Sequence, residues 1–527
     1  MAPFNSGQHM AVDKRTLLLV IPVVISAFVI FWNLNELGLS HWDEYNYIET
    51  AEWLLRRPGG TFTIYEPPGF PFLVAVFFKL FGVRDYVAIA VSAAFAVATV
   101  ALVAYVGLRL FGLNVGLTAP ILLVMMPLFI TYSRMALTDI VFTFFFSLAL
   151  VAMYASMRRD SRWNITLAGF GLGACTMVKY NGFMPALVFL IYSLLALRSV
   201  RSGERFRAAL RRLRILLLTC IPSFVLGLLF IAFLGLSTQL PEGRVFSLHA
   251  LKLIALEAPE ILARGFAKFG RAAVSYHSEQ LVFVPFAHAP YYLQVLVYFI
   301  PIPVLILAIL GLLRKDLNDS PELFVFIWLL GSFFLIASIG AQYSRAILPA
   351  LPPLALCASL GLYRIKAFAS TLSLSRRPKI NPEILAPLLL ILIVILGFQG
   401  AYQAVSIEHH GYREAAQLLP PAGQNVPVLA NAQLVIGFYR PVNFGKANST
   451  NLSASRYLVI DFIAAENGYS STIQQLTDAG RLKLIGTVPA DLPPEVYLDS
   501  MSFSQLANWN YTYIRVYEVT NATAATP

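Results

Sequence analysis

Five short segments, far apart in the chain, carry residues whose types could do chemistry together. The first is His41-Trp42-Asp43-Glu44-Tyr45-Asn46-Tyr47-Ile48, two adjacent carboxylates among aromatic rings. A carboxylate shielded by rings and lipid holds its proton more tightly than one in water, which suits a general base. The competing reading is an acidic pair in the first turn of a helix, beside an interfacial aromatic belt. The second is Tyr65-Glu66-Pro67-Pro68-Gly69-Phe70-Pro71, where two prolines fix an extended segment and Gly69 permits a turn back towards an apolar run. Alone it reads as a loop entering a helix. The third, Ser133-Arg134-Met135-Ala136-Leu137-Thr138-Asp139, joins two apolar runs. Arg134 there fits a snorkelling anchor. Asp139 is too short to reach far towards water, so it either caps a helix or serves a site. The fourth is Met177-Val178-Lys179-Tyr180-Asn181-Gly182, and the fifth Gln342-Tyr343-Ser344-Arg345, followed by Pro349, Pro352 and Pro353. Each cation alone is more often an anchor than a ligand-binding group.

These segments lie at the ends of elements that must cross a bilayer. The 527 residues are 58% hydrophobic and only 13% charged, about half the charge of a soluble globular chain. A retained first span over 16–33 fits better than a signal peptide, because no small-residue cleavage site follows Trp32. Counting runs of roughly 20 apolar residues gives about eleven spans. They lie near 16–33, 86–110, 114–132, 138–157, 164–180, 183–198, 214–236, 291–313, 322–340, 346–363 and 384–404. Phe70 to Phe81 is too short and reads as an interfacial or re-entrant helix. The net charge of +11 is a topological signal and not a nucleic-acid signal. About half of all Lys and Arg fall in the short connections that are cytoplasmic if the N-terminus is inside, most densely over Arg198 to Arg214. The expectation is a multi-pass protein of the cell membrane with a cytoplasmic N-terminus. On that topology the outer loops 34–85 and 237–290 and everything after 404 lie outside. The acids Asp43, Glu44 and Asp139 then share one face with Arg134, Lys179 and Arg345.

Residues 1–404 therefore read as an α-helical transmembrane domain and 405–527 as a small extracytoplasmic α/β domain. Segments near 426–430, 456–461 and 513–519 are rich in β-branched and aromatic residues, and Ser471 to Gly480 reads as a short helix. Sequons at Asn448, Asn451, Asn510 and Asn521 agree weakly with an outer location, since others fall at Asn164 and Asn318 on the expected inside. Cys175, Cys220 and Cys357 read as buried thiols without a disulfide framework. The loop 237–290, with Lys268, Arg271, His277, Glu279 and His288, is expected to close over the outer cavity. A divalent metal at Glu66, His277 or Glu279 is conceivable, but His–Glu spacing of two specifies a site weakly, and no metal or cofactor is required. His409-His410 lacks a third ligand nearby and reads as chemically silent.

In order and spacing, residues 16–365 resemble the GT-C glycosyltransferases, in the branch of the protein O-mannosyltransferases and the bacterial aminoarabinose transferase. The matching elements are Asp43-Glu44, the Pro67-Pro68 loop leading to Phe81-Gly82, Arg134 with Asp139, Lys179 with Gly182, and Tyr343 with Arg345 before prolines. The resemblance implies a polyprenyl-phosphate-sugar donor and a protein, lipid or glycan acceptor outside the cytosol. It implies Asp43 as catalytic base with Glu44 beside it, Asp139 supporting base or acceptor, and Lys179 and Arg345 approaching the donor phosphate. Where the aminoarabinose transferase has a lysine before its proline pair, this chain has Glu66, which removes that phosphate contact. The chemistry has its own logic: a departing polyprenyl phosphate needs cations in a dry site. Lys179 and Arg345 can supply them, with Tyr343, Arg134 and Arg271 as further candidates, and Tyr65, Glu66, Pro67, Pro68 and His277 on the loop side. In-line attack would invert the anomeric centre.

A polytopic transporter is the alternative. Transporters place ionisable groups near the midplane and often show internal repeats; here the acids cluster at helix ends and no repeat is visible. An oligosaccharyltransferase subunit is disfavoured because Trp-Trp-Asp-Tyr-Gly does not occur.

Overall fold

The computed structural model describes residues 17–58, 60, 67–159, 161–237, 260, 285–313, 320–338, 342–372, 382–407, 409–421, 428–430, 433–440, 444–445, 456–461, 470–490, 492, 496 and 513–520. The first part is helical: α1 (Val20–Phe31), α2 (Leu34–Leu37), α3 (Trp42–Leu54), α4 (Gly69–Phe81), α5 (Asp85–Phe111), α6 (Leu113–Val124), α7 (Pro127–Ser133), α8 (Thr138–Arg158), α9 (Arg162–Val178) and α10 (Met184–Ala196). It continues with α11 (Arg205–Ser237), α12 (Ala289–Phe299), α13 (Ile302–Leu312), α14 (Pro321–Ala337), a 3-10 segment (Ser344–Ala350), α15 (Leu351–Leu372) and α16 (Pro382–Val405).

Among the described residues, four helices are long and apolar enough to cross a membrane, or six if each sharply bent pair counts as one span. The eleven expected from hydropathy are therefore not reproduced helix for helix. Proline accounts for much of the difference, because it removes a backbone donor and clashes with the preceding turn. The run expected over 114–132 bends by 71° between α6 and α7, where Pro127 starts the second piece. The run over 291–313 breaks at Ile300-Pro301 into two helices of 11 residues each. The stretch over 346–363 begins as a 3-10 segment containing Pro349. The short apolar segment after the proline pair is a helix of 13 residues, α4.

The surface of this helical part is inverted relative to a soluble protein. Val24, Ile25 and Phe28 of α1, Tyr298 of α12 and Ile395 of α16 are all more than half exposed. Many hydroxyls within the helices bond the carbonyl one turn back, as Thr99 does to Phe95 and Ser147 to Thr143, which satisfies them inside an apolar setting. Packing between helices relies on small residues, as in membranes where no hydrophobic effect drives helix association. At Gly311 and Gly361, α13 and α15 touch backbone to backbone: a Cβ on Gly361 would lie 1.9 Å from the Leu307 carbonyl oxygen. Cys175 and Cys357 are buried as expected, but Cys220 on α11 is exposed among the described residues.

After Val405 the character changes to a mixed sheet with short helices: α17 (Tyr412–Gln417), β1 (Val428–Ala430), α18 (Gln433–Tyr439), β2 (Phe444–Gly445), β3 (Tyr457–Ile460), α19 (Ser470–Asp478), β4 (Leu482–Pro489) and β5 (Tyr513–Val519). The strand order is β2-β1-β3-β5-β4, with β1 parallel to β2 and β3, and β5 antiparallel to β3 and β4. Three of these strands and α19 match the sequence expectation. Strand β4, in which Val488 alone of eight residues is buried, carried too weak an alternation to stand out.

Candidate active site

Four of the expected residues meet. Asp43 stands in the first turn of α3, Asp139 in the first turn of α8, Lys179 at the C-cap of α9 and Arg345 in the 3-10 segment. Both acids sit where the partial positive charge of a helix N-terminus favours an anion. Arg345 Nη2 donates to Asp43 Oδ2 at 2.6 Å, and Lys179 Nζ donates to Asp139 Oδ1 at 2.8 Å. Arg345 Nε lies 3.8 Å from Asp139 Oδ2 and so ties the two pairs into one cluster. Asp139 is 3% exposed, and its Oδ2 accepts no hydrogen bond among the described residues. Tyr343 lies under the Arg345 guanidinium, ring centroid 5.2 Å away. Counted as two carboxylates and two cations, the cluster is neutral.

Burial pushes the Asp43 carboxyl up, but Arg345, seconded by His41 and Lys179, outweighs it and holds Asp43 below the usual carboxylate range. This reverses the expectation of a raised proton affinity; the sequence showed the aromatic shield but not the guanidinium that comes from 302 positions away. Burial pulls His41 down to about 4. Its Nδ1 accepts the Asp43 main-chain N–H at 3.1 Å, which fixes the ring as the N-cap of α3.

Glu44 turns the other way. It is fully buried. Its Oε2 accepts from the Ser40 N–H at 2.6 Å, the His41 N–H at 2.7 Å and the Ser40 hydroxyl at 3.1 Å. Its Oε1 accepts from the Ala136 N–H at 2.7 Å. Burial raises its pKa, and these donors hold the rise back. Glu44 thus closes a capping box with His41 and bolts the start of α3 to the α7–α8 turn. Its oxygens are taken up by three backbone N–H groups and the Ser40 hydroxyl, so in this structure Glu44 holds the start of α3 in place and does not join the ion cluster.

Pro67 and Pro68 are buried at the start of α4. Gly69 follows so close to the end of α9 that a Cβ would lie 2.3 Å from the Met177 carbonyl oxygen. The proline loop therefore seats the α9 terminus that carries Lys179. Arg134, expected among the phosphate-binding cations, does not join the cluster. Its guanidinium is 2% exposed and donates to the carbonyls of Val29 at 3.3 Å and Val405 at 3.4 Å. Val405 ends α16, so Arg134 satisfies an orphan carbonyl at the negative end of a helix. Tyr65, Glu66, Arg271, His277 and Glu279 lie outside the described residues, as does most of the loop 237–290. Among the described residues no group of three His, Cys, Asp or Glu could hold a metal ion.

The sequence reading missed a second set of contacts beside this site. Asp85, at the start of α5, accepts from Arg413 Nη2 at 2.5 Å and from the Tyr439 hydroxyl at 2.8 Å. The Tyr439 oxygen accepts the Leu39 N–H at 2.7 Å. His410 donates its main-chain N–H to the Leu37 carbonyl, and its Nδ1 lies 2.9 Å from the Gly38 carbonyl oxygen. His410 is therefore not silent; its partner is main chain, 372 positions away, and no ligand spacing could have revealed it.

The family profile described as dolichyl-phosphate-mannose-protein mannosyltransferase matches residues 65–226. No curated protein sequence matches the chain. Among solved structures, ArnT from Cupriavidus metallidurans is similar in the apo state at TM-score 0.57 and bound to undecaprenyl phosphate at 0.56, with 15% identity over 98% of this chain and 100% of that one. The archaeal oligosaccharyltransferase AglB from Archaeoglobus fulgidus, in complex with an inhibitory peptide and a dolichol-phosphate, is similar at TM-score 0.53 and 14% identity, over 86% of this chain and 70% of that one. At these identities the likeness establishes the fold, and it is the GT-C fold of the ArnT and protein O-mannosyltransferase kind.

Proposed function

We propose that this GT-C-fold membrane protein is a glycosyltransferase that takes its sugar from a polyprenyl-phosphate carrier and passes it to an acceptor hydroxyl or amine on the non-cytoplasmic face. The carrying observation is the convergence of Asp43, Asp139, Lys179 and Arg345 from four sequence-distant segments into one neutral ion cluster. The neighbouring structures add weight, since one holds undecaprenyl phosphate and another a dolichol-phosphate.

In this reading Lys179 and Arg345 bind the donor phosphate. Because the cluster is neutral, an incoming phosphodiester competes with Asp139 and Asp43 for these cations. When Arg345 moves its hydrogen bond to the phosphate, Asp43 loses the partner that depresses its pKa, and burial then raises its proton affinity. The base is thus activated by arrival of the donor. The acceptor oxygen or nitrogen attacks the anomeric carbon from the side opposite the phosphate. The bond from that carbon to the phosphate oxygen breaks, its electron pair leaves with the polyprenyl phosphate, and the acceptor proton passes to Asp43. The anomeric centre inverts. Asp139, whose Oδ2 is near Arg345 but accepts no hydrogen bond among the described residues, orients the acceptor or Lys179, and Glu44 positions Asp43 from behind.

The test is turnover. Purified chain is incubated with a panel of radiolabelled polyprenyl-phosphate sugars, and donor consumption is followed. Consumption of at least one supports the proposal. Consumption of a nucleotide sugar alone overturns the lipid donor, and consumption of none, together with substrate flux in sealed vesicles, makes the chain a transporter.

A further inference from the structure

The run Leu37 to Glu44 is anchored at both ends of its backbone, and the two anchors come from different parts of the chain. Glu44 holds the N–H groups of Ser40 and His41. The three preceding residues are held from the C-terminal α/β unit: Leu37 and Gly38 by His410, and Leu39 by Tyr439. Arg413 braces the grip by donating to the Asn35 carbonyl at 3.1 Å and to Asp85, which Tyr439 also reaches. Helix α18, which ends at Tyr439, packs directly on α3, the helix that carries Asp43. Gly38 makes the turn with φ +70°, and a Cβ there would stand 3.0 Å from the Tyr439 hydroxyl. A turn of small and apolar residues has few side chains with which to fix itself; here the fixing is supplied from outside it.

We infer that Tyr439, His410 and Arg413 are positioning residues: the C-terminal unit clamps the 37–39 turn and thereby holds Asp43 in register with Arg345. This rests on the glycosyl-transfer reading of the site. Misplacing a catalytic group by about 1 Å costs on the order of a hundredfold in rate, so a clamp on the residues leading into Asp43 acts on turnover more than on donor binding. Lys179 is untouched by it.

Tyr439→Phe keeps the ring beside Arg413 and removes only the hydroxyl. In the full chain in nanodiscs, backbone hydrogen exchange over 37–41 and the first turn of α3 rises at least about tenfold, while the centres of α5 and α8 keep their protection. In the transfer assay kcat falls about tenfold and the donor KM stays within about twofold. Gly38→Ala, which disturbs the same contact from the other side, reproduces the pattern, and the double variant is no slower than the slower single one. Unchanged exchange over 37–41 in both variants overturns the inference. So does faster exchange there with kcat intact, or a loss of protection spread over every helix. A wild-type chain that consumes no lipid-linked sugar sinks the glycosyl-transfer reading instead, and the exchange pattern still decides whether the clamp exists.

Discussion

At the scale of residues, the ion cluster divides labour between two adjacent acids. Successive residues on a helix point about 100° apart, so Asp43 meets Arg345 while Glu44 meets the backbone of Ser40, His41 and Ala136. Asp43→Asn removes the proposed proton acceptor at nearly constant shape, and transfer from a labelled lipid donor falls at least about a hundredfold; near-full turnover would refute the assignment. Two histidines make the fold acid-sensitive. Burial pulls both His41 and His410 down to about 4. A folded-state pKa below the unfolded value of about 6.5 means that the unfolded chain binds more protons, so stability is intact above that value and falls as the pH drops towards 4. Thermal unfolding in detergent at pH 7, 5.5 and 4.5 gives a falling Tm, and His410→Gln flattens the slope; a Tm independent of pH would contradict the burial of these rings. The charged members of the site were legible because an acid or cation at the end of an apolar run is conspicuous. Arg134 was equally conspicuous and goes elsewhere, because sequence marks a cation's depth and not the carbonyls of Val29 and Val405 waiting for it.

At the scale of elements, the site is built from helix ends whose mutual approach depends on missing side chains. Gly69 lets α4 abut the end of α9, and Gly361 lets α15 lie against α13 below the 3-10 segment that carries Arg345. Gly361→Ala forces these backbones apart, at a cost of about 1–3 kcal/mol. The Tm of the variant drops by several degrees, whereas Gly203→Ala, with nothing within 4 Å of the new Cβ, serves as a neutral reference; equal Tm values would deny the close contact. Hydropathy located nearly every apolar segment and misjudged their continuity. A window average passes through Pro127 and Pro301 unmoved, but the helix does not. The same averaging merged the 3-10 segment with α15, hiding the irregular turn that aims Arg345 at Asp43.

At the scale of the whole molecule, the face that holds the cluster also carries α18 of the C-terminal unit, packed on α3, while the basic connection Arg198 to Arg214 runs from the far end of α10 into the start of α11. The topology expected from the charges would put the first face outside. Cysteines introduced at Gly480 and Gly203, in a background with the exposed Cys220 replaced, report this directly. The first reacts with an impermeant maleimide on intact cells, and the second reacts only after lysis; the reverse pattern would place the site in the cytosol. What no local pattern could foretell is the partnership between the two ends of the chain. Leu39 finds its hydroxyl partner 400 positions later, on Tyr439. At ribosomal speeds of about 5–20 residues per second, roughly 20–80 seconds separate the synthesis of the two. Throughout that interval the nascent protein already owns Asp43 and an inserted first helix but lacks the piece that seats them. If the clamp acts as proposed, the 37–39 turn is seated only once Tyr439 has been made, and a polypeptide terminated before that residue would carry Asp43 on an unclamped turn.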